Sequence, residues 1–175
     1  LERLGLPEGS WWVALHVREA ASLGEYHAMH RNADISTYFD AARLIESRGG
    51  RVIRVGDPNM SRLPEGTGII DYVHSGVHAD WMDLFITGKS RFLLGANSGA
   101  SLLASVFGRS VAIANFTPVG NAPNSRHDLF IPKLHWSERE DRFLSFPELF
   151  SSQMRDGYRD RLFQENGVRL IDSTS

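Results

Sequence analysis

The chain contains no cysteine. That excludes disulfides, thiolate metal sites and a cysteine nucleophile, and it suits a cytoplasmic protein. It also lacks an excess of either charge: 19 Lys and Arg stand against 21 Asp and Glu, a formal charge of −2. Without a broad basic field there is no general attraction for nucleic acid, so any anion must be bound locally. No apolar run approaches the roughly 20 residues that span a bilayer, which excludes a membrane span. Internal repeats, low-complexity tracts and a signal-peptide pattern are absent too. At 175 residues, 42% of them hydrophobic, the chain is sized for one α/β domain over residues 1–175. It opens on Leu1-Glu2-Arg3 without Met and closes on Asp172-Ser173-Thr174-Ser175, a helix-capping pattern with no helix after it. The expectation is a fragment of a longer protein that has lost upstream sequence, a whole domain included.

What is present alternates. Trp11 to Val17 is an apolar run after the Pro7-Glu8-Gly9-Ser10 turn cluster, as a buried strand requires. Asp34 or Ser36 can cap a helix through Tyr38, Phe39, Ala42 and Ile45, which Gly49-Gly50 stops. Strands are expected at Arg51 to Val55, Gly68 to Tyr72, Arg91 to Gly95 and Ser110 to Ala114. Helices are expected from His78-Ala79-Asp80 to Gly88 and from Ala100 to Phe107. This βαβ alternation predicts a parallel sheet with helices on both faces and right-handed crossovers. Beyond Asn115 the pattern weakens into Pro- and Asn-containing loop, with one helix near Phe146 to Met154 and a last strand at Val168 to Ile171.

In open parallel sheets the ligand crevice lies outside the carboxyl ends of the strands. The unusual polar clusters fall there: His16-Val17-Arg18-Glu19, Gly56-Asp57, Asp71 to His74, Gly95 to Gly99, and Asn115. Leu93 to Ala104 reads as strand, small-residue turn and helix. Small residues let a ligand approach the backbone, and the free N–H groups and positive dipole at a helix start favour phosphate, with the Ser98 and Ser101 hydroxyls adding hydrogen bonds. The plainer reading is that Asn97 or Ser98 only caps the helix. Arg18, directly after a strand end, can grip phosphate bidentately, and its plain alternative is a solvated Arg paired with Glu19. His16 shares its side of the strand by period-two alternation and can meet a phosphate or sugar oxygen, or simply bond a neighbouring backbone group.

His16-Val17-Arg18, then Gly56-Asp57-Pro58, His78 to Phe85 and Arg91 to Gly99 resemble, in order, the carboxyl-terminal half of a bacterial surface-carbohydrate glycosyltransferase family. More distantly they are similar to the GT-B α-1,6- and protein O-fucosyltransferases. The likeness runs from about Trp11 to Asn115. It implies one Rossmann-like GT-B half-domain that binds a nucleoside-diphosphate sugar, with GDP-fucose the family-level donor, a glycan or other hydroxyl acceptor, no cofactor and no metal. It implies that Arg18 contacts the β-phosphate, that Asn97, Ser98, Gly99 and Ser101 line the diphosphate site, and that Gly56 with Asp57 or Asp80 reaches base or ribose. Glu19 and Ala20 stand where the fucosyltransferase loop has a basic residue and Asp. Arg18 would stabilise the leaving diphosphate, and Glu19 is the nearest candidate general base, with pairing to Arg18 or Arg31 as its silent alternative.

Three other readings compete. His74, His78, Asp80 and Asp83, with His27 and His30, could hold a metal, but they lack a ligand spacing such as His-Glu-x-x-His, and helix entry at His78-Ala79-Asp80 accounts for them. Ser98 could be a hydrolase nucleophile, but Gly95 sits three residues before it rather than the two of a nucleophile elbow. A non-catalytic nucleotide- or glycan-binding module fits the same residues. Trp11, Trp12 and Trp81 are expected in packing roles.

Overall fold

The computed structural model describes residues 2–19, 29–122 and 125–173. Its centre is a six-stranded, wholly parallel sheet of β1 (Trp12–His16), β2 (Arg51–Arg54), β3 (Ile69–Asp71), β4 (Leu93–Gly95), β5 (Val111–Phe116) and β6 (Leu129–Pro132). The order across the sheet is β3-β2-β1-β4-β5-β6. Val13, Ala14, Leu15, Val52, Ile53 and Leu93 are fully buried, as strands covered on both faces demand. On one face α1 (Phe39–Ser47) packs Ala42 and Ile45 against Leu15 and Val52. On the other, α2 (Asp80–Lys89) and α3 (Gly99–Val106) bring Ile86 and Ala104 to Ala14, Ile53, Leu93 and Ile113. The expected Rossmann-like α/β layering is therefore the observed one.

The chain builds outward from β1 to β3, then returns to place β4 on the other side of β1. The order reverses between β1 and β4, and a crevice opens at such a switch point. The two strands approach so closely there that a Cβ at Gly95 would lie 2.0 Å from the His16 carbonyl oxygen. Any side chain at Gly95 would force the strand ends apart.

Several boundaries differ from the sequence expectation. Asp34 does cap, accepting from Ser36 N at 2.8 Å, but it opens a 3-10 turn, Ile35–Tyr38, from which α1 continues. The helix at Phe146 stops at Ser151, and Gln153–Asp156 is a separate 3-10 turn. Downstream of Asn115 more is ordered than expected. β6 is an edge strand whose Leu129, Phe130 and Ile131 are exposed, so it shows no buried-strand pattern, and it is reached without an intervening α-helix. Beyond it β7 (Leu134–Ser137), β8 (Arg142–Phe143) and β9 (Val168–Ile171) form a small antiparallel sheet in the order β8-β7-β9. With α4 (Phe146–Ser151) and α5 (Asp160–Glu165) it encloses a second core of Val119, Leu149, Met154, Phe163 and Val168. The last strand thus belongs to this sheet and not to the parallel one. Trp12 donates to Ile86 O and Trp11 lies under Arg91, both in packing roles, whereas Trp81 is 67% exposed. No helix among the described residues is long and apolar enough to cross a membrane.

Candidate functional site

The strand ends nominated by sequence do converge on the carboxyl edge of the sheet, but the two sides of the switch point are built differently. On the β1-β2-β3 side the organising residue is Arg54, the last residue of β2 and fully buried. Its guanidinium donates to Glu19 Oε1 at 2.5 Å and to Ser61 O at 2.6 Å, and it reaches Asp71 Oδ1 at 3.4 Å. Glu19 Oε2 accepts from Ser61 N at 3.0 Å. Asp71 Oδ2 takes Leu63 N at 3.2 Å and faces His74 Nδ1 at 2.8 Å, with His74 Nε2 3.2 Å from Pro58 O. One buried cation therefore ties together the loops that leave β1, β2 and β3. Sequence reasoning missed Arg54 because a basic residue in a strand reads as solvent-facing. The signal was the run Arg51-Val52-Ile53-Arg54-Val55, in which Arg54 interrupts a stretch buried on both sides.

This network changes the expectation for Glu19. Both its carboxylate oxygens already accept hydrogen bonds, one from a buried guanidinium, so it braces the crevice and is poorly placed to take a proton from an acceptor. Asp57 is likewise occupied: Oδ1 accepts from Asn59 N at 2.7 Å in a local turn. Gly56 sits at φ 138°, a conformation open to glycine, with Met60 and His16 packed where a side chain would be. Asp80 is exposed in the first turn of α2, whose N-cap is Ala79, without a side-chain cap; the expected capping by the His78-Ala79-Asp80 entry is not made. His78 Nε2 instead lies 3.2 Å from Gly56 O and 3.4 Å from Asp83 Oδ2, and burial raises the Asp83 carboxyl above its ordinary range. The proposed metal residues fall into the separate pairs His74–Asp71 and His78–Asp83. His27 lies outside the described residues.

At the switch point, His16 Nδ1 is enclosed without a hydrogen-bond partner. Burial pushes this imidazole down to about 4, and the Arg54 and Arg18 guanidiniums add to the shift. His16 is thus a neutral group at neutral pH. Arg18 is itself buried, and its Nε donates to Asn32 Oδ1 at 3.1 Å while its carbonyl accepts from Ala33 N. Asn32 O in turn accepts from Lys133 Nζ, which pairs with Asp172, and Asp172 Oδ2 accepts from Asp34 N. Arg18 is therefore anchored into the frame that joins the parallel sheet to the smaller one.

The β4-β5 side is open. A cleft of about 620 Å³ runs along α3, within the usual range for small-molecule sites. Asn97, Ser98, Gly99 and Ser101 all line it, and the cation in its wall is Arg31. The helix-cap reading of this turn is not what forms. Ser98 occupies the N-cap position with extended backbone, φ −152° and ψ 171°, but its side chain makes no cap hydrogen bond. Its hydroxyl is enclosed with no partner, although Ser98 is only 7% exposed. The Asn97 amide donates to Thr117 O at 2.6 Å, pinning the turn to the end of β5. Ser101 Oγ donates to Ser98 O at 2.7 Å, so it offers a ligand only its lone pairs. A buried hydroxyl left unbonded costs stability, commonly about 1–3 kcal/mol, unless a ligand or water completes it. No imidazole bonds the Ser98 hydroxyl among the described residues.

A second cavity, about 750 Å³, lies between the 3-10 turn Met29–Arg31 and α5. It is away from the sheet edge. Asp160 there accepts from Met29 N and His30 N and meets His30 Nδ1 at 2.6 Å. Burial lowers the His30 imidazole despite that carboxylate, and the ring packs on Phe163 with centroids 5.5 Å apart. His30 therefore links the loop after β1 to the smaller sheet.

No family model matches the chain, and no curated protein matches it. Among solved structures it is similar to the E. coli heptosyltransferase WaaC with ADP-2-deoxy-2-fluoro heptose, at 13% identity and a TM-score of 0.50, over 91% of this chain and 44% of that one. It is also similar to the iron-containing dodecameric glycosyltransferase TibC from enterotoxigenic E. coli H10407, at 14% identity and a TM-score of 0.47, over 94% of this chain and 43% of that one. The chain spans less than half the length of these structures. What it shares with WaaC is the fold, a Rossmann-like α/β arrangement.

Proposed function

We propose that this chain is the donor-binding part of a glycosyltransferase, which moves a sugar from a nucleoside diphosphate to a hydroxyl of a glycan acceptor in surface-polysaccharide synthesis. The observation that carries the reading is Ser98: an enclosed, unpartnered hydroxyl at the N-cap of α3, in a cleft that also holds Arg31. The N–H groups at the start of α3, the dipole behind them and a guanidinium in the same cleft form an anion site. The direct cationic contact is assigned to Arg31. Arg18, the residue the sequence favoured, fixes the loop through Asn32 and stands behind it. His16, Gly56, Asp57 and Asp80 form the other rim of the crevice, where a ribose or base would lie.

Chemically, the oxygen of the acceptor hydroxyl bonds to the anomeric carbon and yields its proton to a general base as the bond to the diphosphate breaks, and the electron pair leaves on the diphosphate. Preorganised donors aimed at that developing charge lower the barrier. Arg31, the α3 N–H groups and Ser98 Oγ serve that role without a metal. The similarity of fold to WaaC, a structure that contains an ADP-sugar analogue, supports a nucleotide sugar as donor. GDP-fucose rests on the sequence resemblance alone, and the general base is assigned to no residue of this chain.

Calorimetric titration of GDP, ADP, UDP and their sugars tests the reading. Saturable binding that weakens in Ser98→Ala and Arg31→Ala is expected, and chelator leaves it unchanged. A protein that binds none of these nucleotides at millimolar concentration is not a donor-binding domain.

A further inference from the structure

The anion end accounts for only part of the cleft. From Ser98 the cavity continues down the flank of α3, past Leu102 and Ser105, over a floor of Val111, Ile113 and Phe116. Its far wall carries Asn121 and Tyr158, both exposed. Gly120 makes that wall possible, since a Cβ there would lie 2.1 Å from Asp156 Oδ1 and 2.7 Å from Arg155 O. The 3-10 turns Val119–Asn121 and Gln153–Asp156 can therefore close on each other, and Asn121 and Tyr158 line the same cavity.

The charge along this cavity is asymmetric. Among the described residues its lining holds two charged ones, Arg31 and Asp128. Asp128 is consumed by the fold, because Oδ1 accepts from Val111 N at 2.9 Å and Oδ2 from Ser125 N at 3.2 Å. What remains beyond the anion end is an amide, a phenol and serine hydroxyls over an apolar floor. Ser105 Oγ donates to Ser101 O, which leaves its lone pairs to accept. Neutral donors and acceptors on one side and an apolar surface on the other match a polyhydroxylated ring, which has hydroxyls at its edge and C–H groups on its face. A ligand that is anionic at one end and an uncharged polyol at the other satisfies both halves.

We infer that the α3 flank is the pocket for the transferred sugar, with Asn121, Tyr158 and Ser105 as the groups that read its hydroxyls. This rests on the donor reading above and assigns the sugar's place within it. Asn121 and Tyr158 are then specificity residues: they act on the sugar and leave the diphosphate alone.

Matched pairs of ligands separate the two claims. GDP against GDP-fucose and ADP against ADP-heptose are titrated by calorimetry into the full chain and into Asn121→Ala and Tyr158→Ala. Both residues are exposed, so the variants are expected to fold. The sugar nucleotide should bind wild-type protein more tightly than its diphosphate in at least one pair. Each variant should erase about three- to tenfold of that advantage, the effect of one neutral hydrogen bond, with diphosphate affinity held within about twofold. Diphosphate binding with the sugar advantage absent, or unchanged in both variants, overturns the pocket and leaves the donor reading standing. Failure of every nucleotide to bind overturns the donor reading and the pocket with it.

Discussion

The two sides of the crevice differ in how completely their polar groups are satisfied. Around Arg54, the carboxylates of Glu19 and Asp71 and the backbone of Ser61 and Leu63 are engaged, and of the guanidinium only Nε is left without a partner among the described residues. Across the switch point, the hydroxyls of Ser98 and Thr117 are buried with no partner among the described residues. A densely bonded network holds a shape, and its carboxylates are poor ligand contacts because each would have to abandon a bond. An unsatisfied hydroxyl in a cleft is the reverse, costly in the empty protein and repaired by a ligand. Residues of the same chemical kind, all at strand ends, thus divide into frame and contact by their hydrogen bonds.

The largest effect that sharpens this contrast is on stability. Arg54→Met leaves the half-buried Glu19 and Asp71 without their cation and should destabilise the fold by about 3 kcal/mol, the lower end of the scale for breaking a buried pair from one side. Urea denaturation measures it, and a loss under 1 kcal/mol would show that the network is not the frame. Next comes Arg31→Ala, expected to weaken nucleoside-diphosphate binding by one to two orders of magnitude, about 1.5–3 kcal/mol for charged hydrogen bonds. Arg18→Ala should instead lower the melting temperature, because Arg18 is buried against Asn32; unchanged melting with abolished binding would return the contact to Arg18.

A smaller effect concerns acid. His16 has its folded-state value near 4, below the ordinary 6.5. Between those two values the unfolded chain takes up a proton that the folded protein refuses, so stability is complete above about 6.5 and falls as the pH drops toward 4. His30 and His135, also lowered by burial, act in the same direction. Comparing wild type with His16→Gln between pH 7 and pH 4.5 isolates the first, and the variant should lose about 2 kcal/mol less. Parallel curves would place His16 in water. The smallest stability change is Ser98→Ala, expected to raise stability by about 1 kcal/mol because it removes a buried hydroxyl that bonds nothing among the described residues. The same variant should bind diphosphate several-fold more weakly; a clear loss of stability would make Ser98 part of the frame.

Much of the parallel sheet was legible in the sequence. Trp11 to Ala114 alternates apolar strands with helices of regular spacing, and the polar clusters fall where strands end. Of the smaller sheet only the last strand, Val168 to Ile171, was legible: β7 and β8 are four and two residues long, too short to show a period, and β6, the exposed edge of the parallel sheet, shows no buried-strand pattern. Of the candidate site, the Asn97 to Ser101 turn was readable as small residues between strand and helix. Arg31 was not, since it lies in a short 3-10 turn, Met29–Arg31, whose Met29 and His30 backbone is held by Asp160, about 130 positions later.

Sequence alone determined the kind of layer and the edge at which polar residues gather, because both follow from local periodicity and from where strands stop. It also determined the turn that opens α3, which needs small residues whatever surrounds it. Whether Glu19 acts or braces, whether Arg18 or Arg31 faces the cleft, and whether the Ser98 hydroxyl is spent or available were decided by tertiary structure. Each depends on a partner distant in the chain, Arg54 for Glu19 and Asp160 for the turn that carries Arg31, and a hydrogen bond's two ends cannot be paired from one strand's pattern.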